Sequence, residues 1–158
     1  MPCFLLLLAL VISGSAFADE LVATDIDTRD VLGSDFRATH EALVGAIEAE
    51  GLVVGAVMPF KEMLVRTEAS HGDVAMPFAE AEIVQFCSSG LAWQLVGEQA
   101  SQLALCPMSI AIHSGIDDSG RITLSWRSPG RSTPGRSKAD ALLRRLADRA
   151  AELARLRW

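Results

Sequence analysis

Residues 108–113 and 121–127 alternate apolar and polar side chains with a period of two. An extended strand is the conformation that puts every second side chain on the same face. Residues 117–120, between the two segments, are all turn-forming types, so the two strands are predicted to pair as a β-hairpin. The apolar side chains predicted to face inward are Ile110, Ile112, Ile122, Leu124 and Trp126. The chain must therefore build a sheet and cover one face of it.

The first half of the chain predicts a helix and two further extended segments. Helix-spaced apolar residues run from Ser34, the candidate N-cap, to Gly51, a natural C-terminal stop. Residues 52–58 form a continuous apolar run bounded by Pro59, which favours a buried strand over a helix of that length. A first strand or an extended arm is predicted over residues 19–33.

Two more helices are predicted in the second half. Ser88 or the serine after it can cap a helix that carries Leu91 and Leu95 on one face. Residues 131–158 predict a linker rich in Pro and Gly, followed by a long helix with Ser137 as its N-cap.

The first 18 residues have the pattern of a secretory signal peptide. An apolar run over residues 4–12 is followed by small residues and by Ala16-Phe17-Ala18, the arrangement that signal peptidase accepts. Nine apolar residues give roughly 14 Å of helix, about half of the ~30 Å hydrocarbon core, so no transmembrane anchor is expected. We therefore expect cleavage before Asp19 and a periplasmic or secreted protein.

The charge of the chain argues against polyanion binding. Fourteen Lys and Arg against 20 Asp and Glu give a net charge of -6, so no nucleic-acid partner is expected. Residues 19–120 hold 4 basic and 17 acidic side chains, whereas residues 121–158 hold 10 basic and 3 acidic ones. We expect the basic final helix to dock on its own acidic domain, and a helix on a membrane surface is the alternative.

Sequence motifs of common catalytic sites are absent. The chain has no Cys-x-x-Cys, His-Glu-x-x-His, Gly-x-Ser-x-Gly or phosphate loop, so an enzyme is not favoured and no metal or cofactor is predicted. Haem or copper is an alternative, because thioether and imidazole groups bind both. The ligands would be Met58, Met63, Met76, Met108 and His71.

Cys87 and Cys106 are the two cysteines that follow the leader. With a returning helix of about 12 residues between them, they are expected near opposite ends of a layer ~18 Å long. A disulfide needs Cα atoms within about 7 Å, so an internal bridge is not favoured. Three interpretations stay open: a bridge made where residues 100–105 double back, two buried thiols, or a reactive thiolate at Cys87 just before a helix N-terminus.

One longer pattern runs over residues 84–114. It opens with Phe86-Cys87-Ser88, continues as a helix, and reaches the pair Cys106-Pro107 ahead of an apolar strand. A hairpin ending in RITLSWRSPG follows, while AIEAEGLVV and KEMLVRT precede the pattern. Together these features resemble the family called domain of unknown function 302 (DUF 302) over residues 34–130.

The resemblance implies an α+β domain in which a single curved, largely antiparallel sheet has helices packed on one face. It also implies a homodimer. No activity is attached to the family as a whole, so the resemblance transfers no catalytic residues.

These observations predict a non-enzymatic binding or interaction module. We expect its site on the concave sheet face and at the corner where a strand turns into a helix after Cys87, because clefts with apolar walls and a few polar groups are the usual ligand sites. The corner residues are Phe86, Cys87, Ser88, Leu91, Leu95, Cys106 and Pro107. The runner-up is a thiol-dependent protein that handles sulfur or redox equivalents through Cys87. The ligand, a small molecule or a protein, is not named by the sequence.

Overall fold

The computed structural model of the chain describes residues 25–70, 74–117 and 120–156, and the predicted signal peptide lies outside them. The strands are β1 (Ile26–Leu32), β2 (Val53–Met58), β3 (Phe78–Cys87), β4 (Met108–Gly115) and β5 (Arg121–Arg127). The helices are α1 (Phe36–Ala49), α2 (Phe60–Thr67), α3 (Ser89–Glu98) and α4 (Pro134–Arg155), with 3₁₀ turns over Glu68–Ser70 and Ala100–Leu105. The strands form one open antiparallel sheet in the order β1-β5-β4-β3-β2. The predicted α+β class with a single sheet and a C-terminal helix is confirmed.

The predicted hairpin is formed by β4 and β5, with Ile112 opposite Leu124. Both of these side chains are fully buried, and so is Ile110. The residues between them along each strand are only partly covered. The alternation in the sequence therefore identified the buried face correctly.

The helices α1 and α4 pack against each other and cover this buried face. Leu43 and Ile47 of α1 and Leu146 of α4 are buried in one cluster with the apolar side chains of β3, β4 and β5. A fully buried Leu or Ile contributes about 1.5–3 kcal/mol relative to an exposed one, so burial of this layer stabilises the fold. Among the helices that the structure describes, none has the length and apolar character of a membrane span.

A buried carboxylate fixes the beginning of α4. The Asp140 side chain is 2 % exposed and accepts hydrogen bonds from Ser128 Oγ at 3.0 Å, Arg131 Nε at 2.8 Å and Arg144 Nε at 3.1 Å. Arg144 also binds Asp27 of β1 at 2.8 Å. Burial alone would raise the pKa of Asp140, but these hydrogen bonds outweigh it and hold the pKa below its usual value. The basic helix thus docks on its own acidic domain.

Glu98, at the end of α3, ties that helix to the first turn of α4. Its carboxylate accepts hydrogen bonds from Thr133 Oγ1 at 2.5 Å and from the backbone N–H of Gly135 at 2.7 Å. A Cβ on Gly135 would lie 2.7 Å from Glu98 Oε2, so glycine permits this close approach. A carboxylate is well placed there, because the free N–H groups of a helix start attract negative charge.

Two helix starts differ from the prediction. The N-cap of α1 is Asp35, which accepts from the N–H of Ala38 at 2.6 Å, and not Ser34. The N-cap of α4 is Thr133, not Ser137, and Pro134 takes the first helical position. Proline favours that position because its missing N–H would have no partner there, so the helix begins inside the predicted linker.

The expectation that residues 52–58 form a buried strand is wrong. They form β2, which pairs with β3 on one side and is the last strand of the sheet. Val53 is 76 % exposed, and Val57 and Met58 are also exposed. A run of apolar residues indicates a strand but does not indicate whether that strand has neighbours on both sides. An edge strand lacks a neighbour on one side, so its side chains can stay exposed.

Replacing Ile112 with Ala is expected to lower the free energy of unfolding by about 2–4 kcal/mol, because it leaves a cavity in a fully buried site. Urea unfolding followed by circular dichroism measures the loss. The matched control is Ile116→Ala, at an exposed position after β4, for which a change within about 0.5 kcal/mol is expected. A loss below about 1 kcal/mol at Ile112 would contradict the burial of this face.

Replacing Asp140 with Asn is expected to lower the free energy of unfolding by about 2 kcal/mol at neutral pH, since hydrogen bonds to charged groups contribute about 1.5–3 kcal/mol. The pKa of Asp140 is lowered in the folded chain. Its contribution is therefore complete above the ordinary aspartate pKa of about 3.9 and is lost as the pH falls through the folded value. Urea unfolding of both proteins from neutral pH down to about pH 3 should show the difference shrinking.

The control for this charge effect is Asp148→Asn. Asp148 pairs with Arg29 at 3.3 Å but is 56 % exposed, so a change below about 0.5 kcal/mol is expected. A difference between the native chain and Asp140→Asn that does not depend on pH would rule out the charged form of Asp140 as the stabilising one.

Candidate functional site

A cavity of about 370 Å³ lies at one end of the sheet, between β4 and β5. The ladder between these strands has three residue pairs, Ala111–His113 opposite Thr123–Ser125. The ladder between β3 and β4 continues to Met108, and the ladder between β1 and β5 continues to Arg127. Beyond the three pairs that join β4 and β5, β4 stays paired with β3, and β5 stays paired with β1. The cavity lies beside the ends of β4 and β5 that are not paired with each other.

The walls of this cavity are mostly apolar. Ile83, Ser109, Ala111 and Ser125 lie on the outer face of the sheet, which is the face away from α1 and α4. Other apolar lining residues are Ile26, Leu105, Pro107, Met108 and Leu143. The cavity thus extends from the outer face toward the helix layer.

Three polar side chains line the cavity: Ser109, Ser125 and Arg127. A serine hydroxyl donates one hydrogen bond and accepts others, and a guanidinium pairs with a carboxylate through two parallel N–H groups. The described lining residues include no histidine, cysteine, aspartate or glutamate. They therefore offer hydrogen bonds and positive charge to a bound molecule but no general base.

Trp126 also lines the cavity and carries an unsatisfied donor. The residue is 6 % exposed, and its indole Nε1 is buried without a hydrogen-bond partner in the part of the chain that the structure describes. A buried donor left unpaired costs about 1–3 kcal/mol. Such groups are uncommon in native proteins.

The predicted corner residues do not form a single site. Cys87, Phe86 and Pro107 line a second cleft of about 440 Å³, together with residues of β2. Pro107 also lines the cavity between β4 and β5. Phe86 is otherwise fully buried in the core. Pro107 is therefore the corner residue that the two clefts share.

The remaining helix residues of the corner lie elsewhere. Ser88 is the N-cap of α3, as predicted, and accepts from the N–H of Leu91 at 3.4 Å. Ser88 and Leu91 line a third cleft of about 410 Å³ between α3 and α4. Leu95 is fully buried. These residues support the position of α3, and they do not face the outer side of the sheet.

The two cysteines are neighbours, which corrects the expectation that they lie at opposite ends of a layer. The β3–β4 ladder ends with Phe86 opposite Met108, so Cys87 and Cys106 both lie just beyond its last pair. Their side chains are within hydrogen-bonding reach of each other, and both are free thiols. Burial raises the pKa of the Cys106 thiol, and the charge of Cys87 and the hydrogen bond with it raise this pKa further. The 3₁₀ turn Ala100–Leu105 returns the chain to the end of β3 and brings the sulfurs together.

The opposite end of β4 carries a histidine beside aromatic rings. His113 contacts Phe78 with a ring-centre distance of 5.6 Å, and Phe78 contacts Phe60 of α2 at 6.4 Å. Burial lowers the pKa of His113, and the nearby Asp30 offsets part of this effect. Burial thus favours the neutral form of His113, which lies outside the cavity lining.

The methionines named for haem or copper lie on different elements of the fold. Within residues 25–70, 74–117 and 120–156, no group of three or more His, Cys, Asp or Glu side chains is placed to hold a metal ion. Met108 is buried in the core, whereas Met58 is exposed on the edge strand. Met63 lies in α2 and Met76 in the loop before β3. His71 lies outside the described residues.

An open five-stranded antiparallel sheet, with α1 and α4 over one face and a cavity between two of its strands, defines an α+β domain. The sequence profile of the family described as "Domain of unknown function DUF302" matches residues 28–155. The chain therefore belongs to the DUF302 family, as the resemblance implied.

A solved relative has the same fold. The crystal structure of an uncharacterized conserved DUF302 protein from Bacillus stearothermophilus superposes with a TM-score of 0.56 at 19 % sequence identity. The similarity covers 84 % of this chain and 97 % of that one. No curated protein matches the chain. At this level of identity the comparison establishes the fold and nothing about activity.

Proposed function

We propose that this chain is an exported, non-enzymatic binding module whose ligand occupies the cavity between β4 and β5. The observation that carries the proposal is the composition of that cavity. It has apolar walls, two serine hydroxyls and Arg127, and its described lining has no acid–base group. A volume of about 370 Å³ falls within the usual range for small-molecule sites.

The lining favours a small ligand with an apolar body and one anionic or hydrogen-bond-accepting group. Ile83, Ala111 and Leu105 offer contact to the apolar part. Arg127 is exposed at the end of β5, where its guanidinium can pair with a carboxylate or sulfonate.

Export is supported by the leader pattern of residues 1–18. The apolar run, the small residues after it and the Ala-x-Ala arrangement agree with cleavage after Ala18. A periplasmic or secreted location would expose the cavity to molecules taken up from outside the cell. We propose that such molecules, and not cytosolic metabolites, are the source of the ligand.

A homodimer is supported by the contrast between the two edges of the sheet. The edge strand β1 carries Asp27, Arg29 and Asp30, and charged residues protect a sheet edge from pairing with another chain. The opposite edge strand, β2, has the sequence VVGAVM without a charge. We therefore propose that two copies pair along β2 and join their sheets.

Ligand binding is tested with 1-anilinonaphthalene-8-sulfonate, which has an aromatic body and one anionic group. The native chain is expected to enhance the fluorescence of this probe in a saturable way. Ala111→Phe fills the cavity and should abolish saturable binding, while Arg127→Gln should weaken it about ten-fold by removing a charge-assisted contact.

The matched control for the cavity is Ala56→Phe. Ala56 lies on the same outer face but in β2, and it does not line the cavity. Its affinity for the probe should equal that of the native chain. Equal loss of binding in Ala56→Phe and Ala111→Phe, or retention in both, would place the probe elsewhere and contradict the proposed site.

Export and assembly are tested by native mass spectrometry of protein recovered from the cell envelope. The mature chain is expected to begin at Asp19 and to appear as a dimer. Val53→Lys adds a charge to the exposed edge of β2 and should give a monomer with an unchanged circular dichroism spectrum. A full-length cytosolic chain would refute export, and a dimer that persists in Val53→Lys would refute pairing along β2.

A further inference from the structure

The cleft beside β2 places two thiols of unequal exposure side by side. Cys87 is exposed, whereas Cys106 is partly covered and lies within hydrogen-bonding reach of Cys87. The cleft measures about 440 Å³ and is lined by Cys87, Val53, Ala56, Gln85 and Pro107, among others. A small molecule that enters this cleft therefore meets the sulfur of Cys87 before that of Cys106.

We propose that Cys87 and Cys106 form a redox pair that exchanges with low-molecular-weight disulfides and closes reversibly to an intramolecular disulfide. The proposal does not rest on the ligand-binding function, because neither cysteine lines the cavity between β4 and β5. The open cleft and the neighbouring position of the two sulfurs carry it.

The exchange follows two balanced steps. The Cys87 thiolate attacks one sulfur of a disulfide RSSR, which forms a Cys87–S–S–R bond, breaks the S–S bond of RSSR and releases RS⁻. Cys106 then loses its proton to solvent, and its thiolate attacks the Cys87 sulfur and displaces the second RS⁻. Both released thiolates take up protons. The protein dithiol is oxidised by two electrons, and RSSR is reduced to two RSH.

The geometry assigns different roles to the two sulfurs. Cys87 is the attacking group because it is exposed to the cleft. Cys106 is the resolving group because it lies behind Cys87, where its raised pKa keeps it protonated until the mixed disulfide forms next to it. Closure would join residues 87 and 106 around α3. A bond across a loop of this length should raise the midpoint of thermal unfolding by about 5–10 °C.

The test uses the full chain carrying Cys3→Ser, so that Cys87 and Cys106 are its two cysteines. The protein is reduced with dithiothreitol, freed of reductant and incubated with oxidised glutathione. The expected product has lost two hydrogens per chain and carries no glutathione. No Lys or Arg separates the two cysteines, but Glu98 does. Digestion with a glutamate-specific protease should therefore give two peptides joined by a disulfide. Dithiothreitol should release them and reverse the rise in the thermal midpoint.

Two matched variants separate the steps. Cys106→Ser should accumulate one glutathione on Cys87 and stop there, whereas Cys87→Ser should react at Cys106 at least about ten-fold more slowly than Cys106→Ser reacts at Cys87. Circular dichroism confirms that each variant is folded. If the native chain forms only mixed disulfides or chains linked through different cysteines, the redox pair is refuted. If Cys106 is modified as fast as Cys87, the assigned roles are refuted.

Discussion

Burial of one sheet face beneath α1 and α4 is the interaction on which the rest of the structure depends. Apolar burial is strong but has no direction, so polar contacts set the position of the helices. Asp140 binds the start of α4 to the end of β5 and, through Arg144, to β1. Glu98 binds α3 to the same end of α4. The basic C-terminal helix is consequently paired with acidic groups of its own domain, including Glu50 beside Arg145 at 3.6 Å.

The cavity follows from the way the five strands are joined. The sheet consists of a β1-β5 pair and a β4-β3-β2 unit, and the three residue pairs between β4 and β5 connect the two. The helices cover the inner face of both parts. At the end where β4 and β5 are not paired, side chains from both parts line one space. Most of the residues that line this space lie on paired strands or on α4, so the fold itself positions them.

The same end of the sheet explains the second cleft. The chain leaves β3 at Cys87, passes through α3 and the 3₁₀ turn Ala100–Leu105, and returns at Cys106 to begin β4. Strand pairing between β3 and β4 requires that return, because both ends of the connection must lie at neighbouring strands. The proximity of the sulfurs is thus a consequence of sheet topology. Pro107 lines both clefts, so Cys106 is adjacent in sequence to a residue that lines the cavity between β4 and β5.

Local patterns in the sequence determined what each segment is. Period-two alternation identified β4, β5 and their buried side chains, helical spacing identified α1, α3 and α4, and the motif around Cys87 and Cys106 identified the family. Only the tertiary structure decided which segments are neighbours. It placed β2 at an edge, moved the cap of α4 to Thr133, brought the two cysteines together and opened the cavity between β4 and β5. The physical reason is that periodicity depends on residues a few positions apart, whereas strand order and sulfur proximity depend on contacts between residues far apart in the chain.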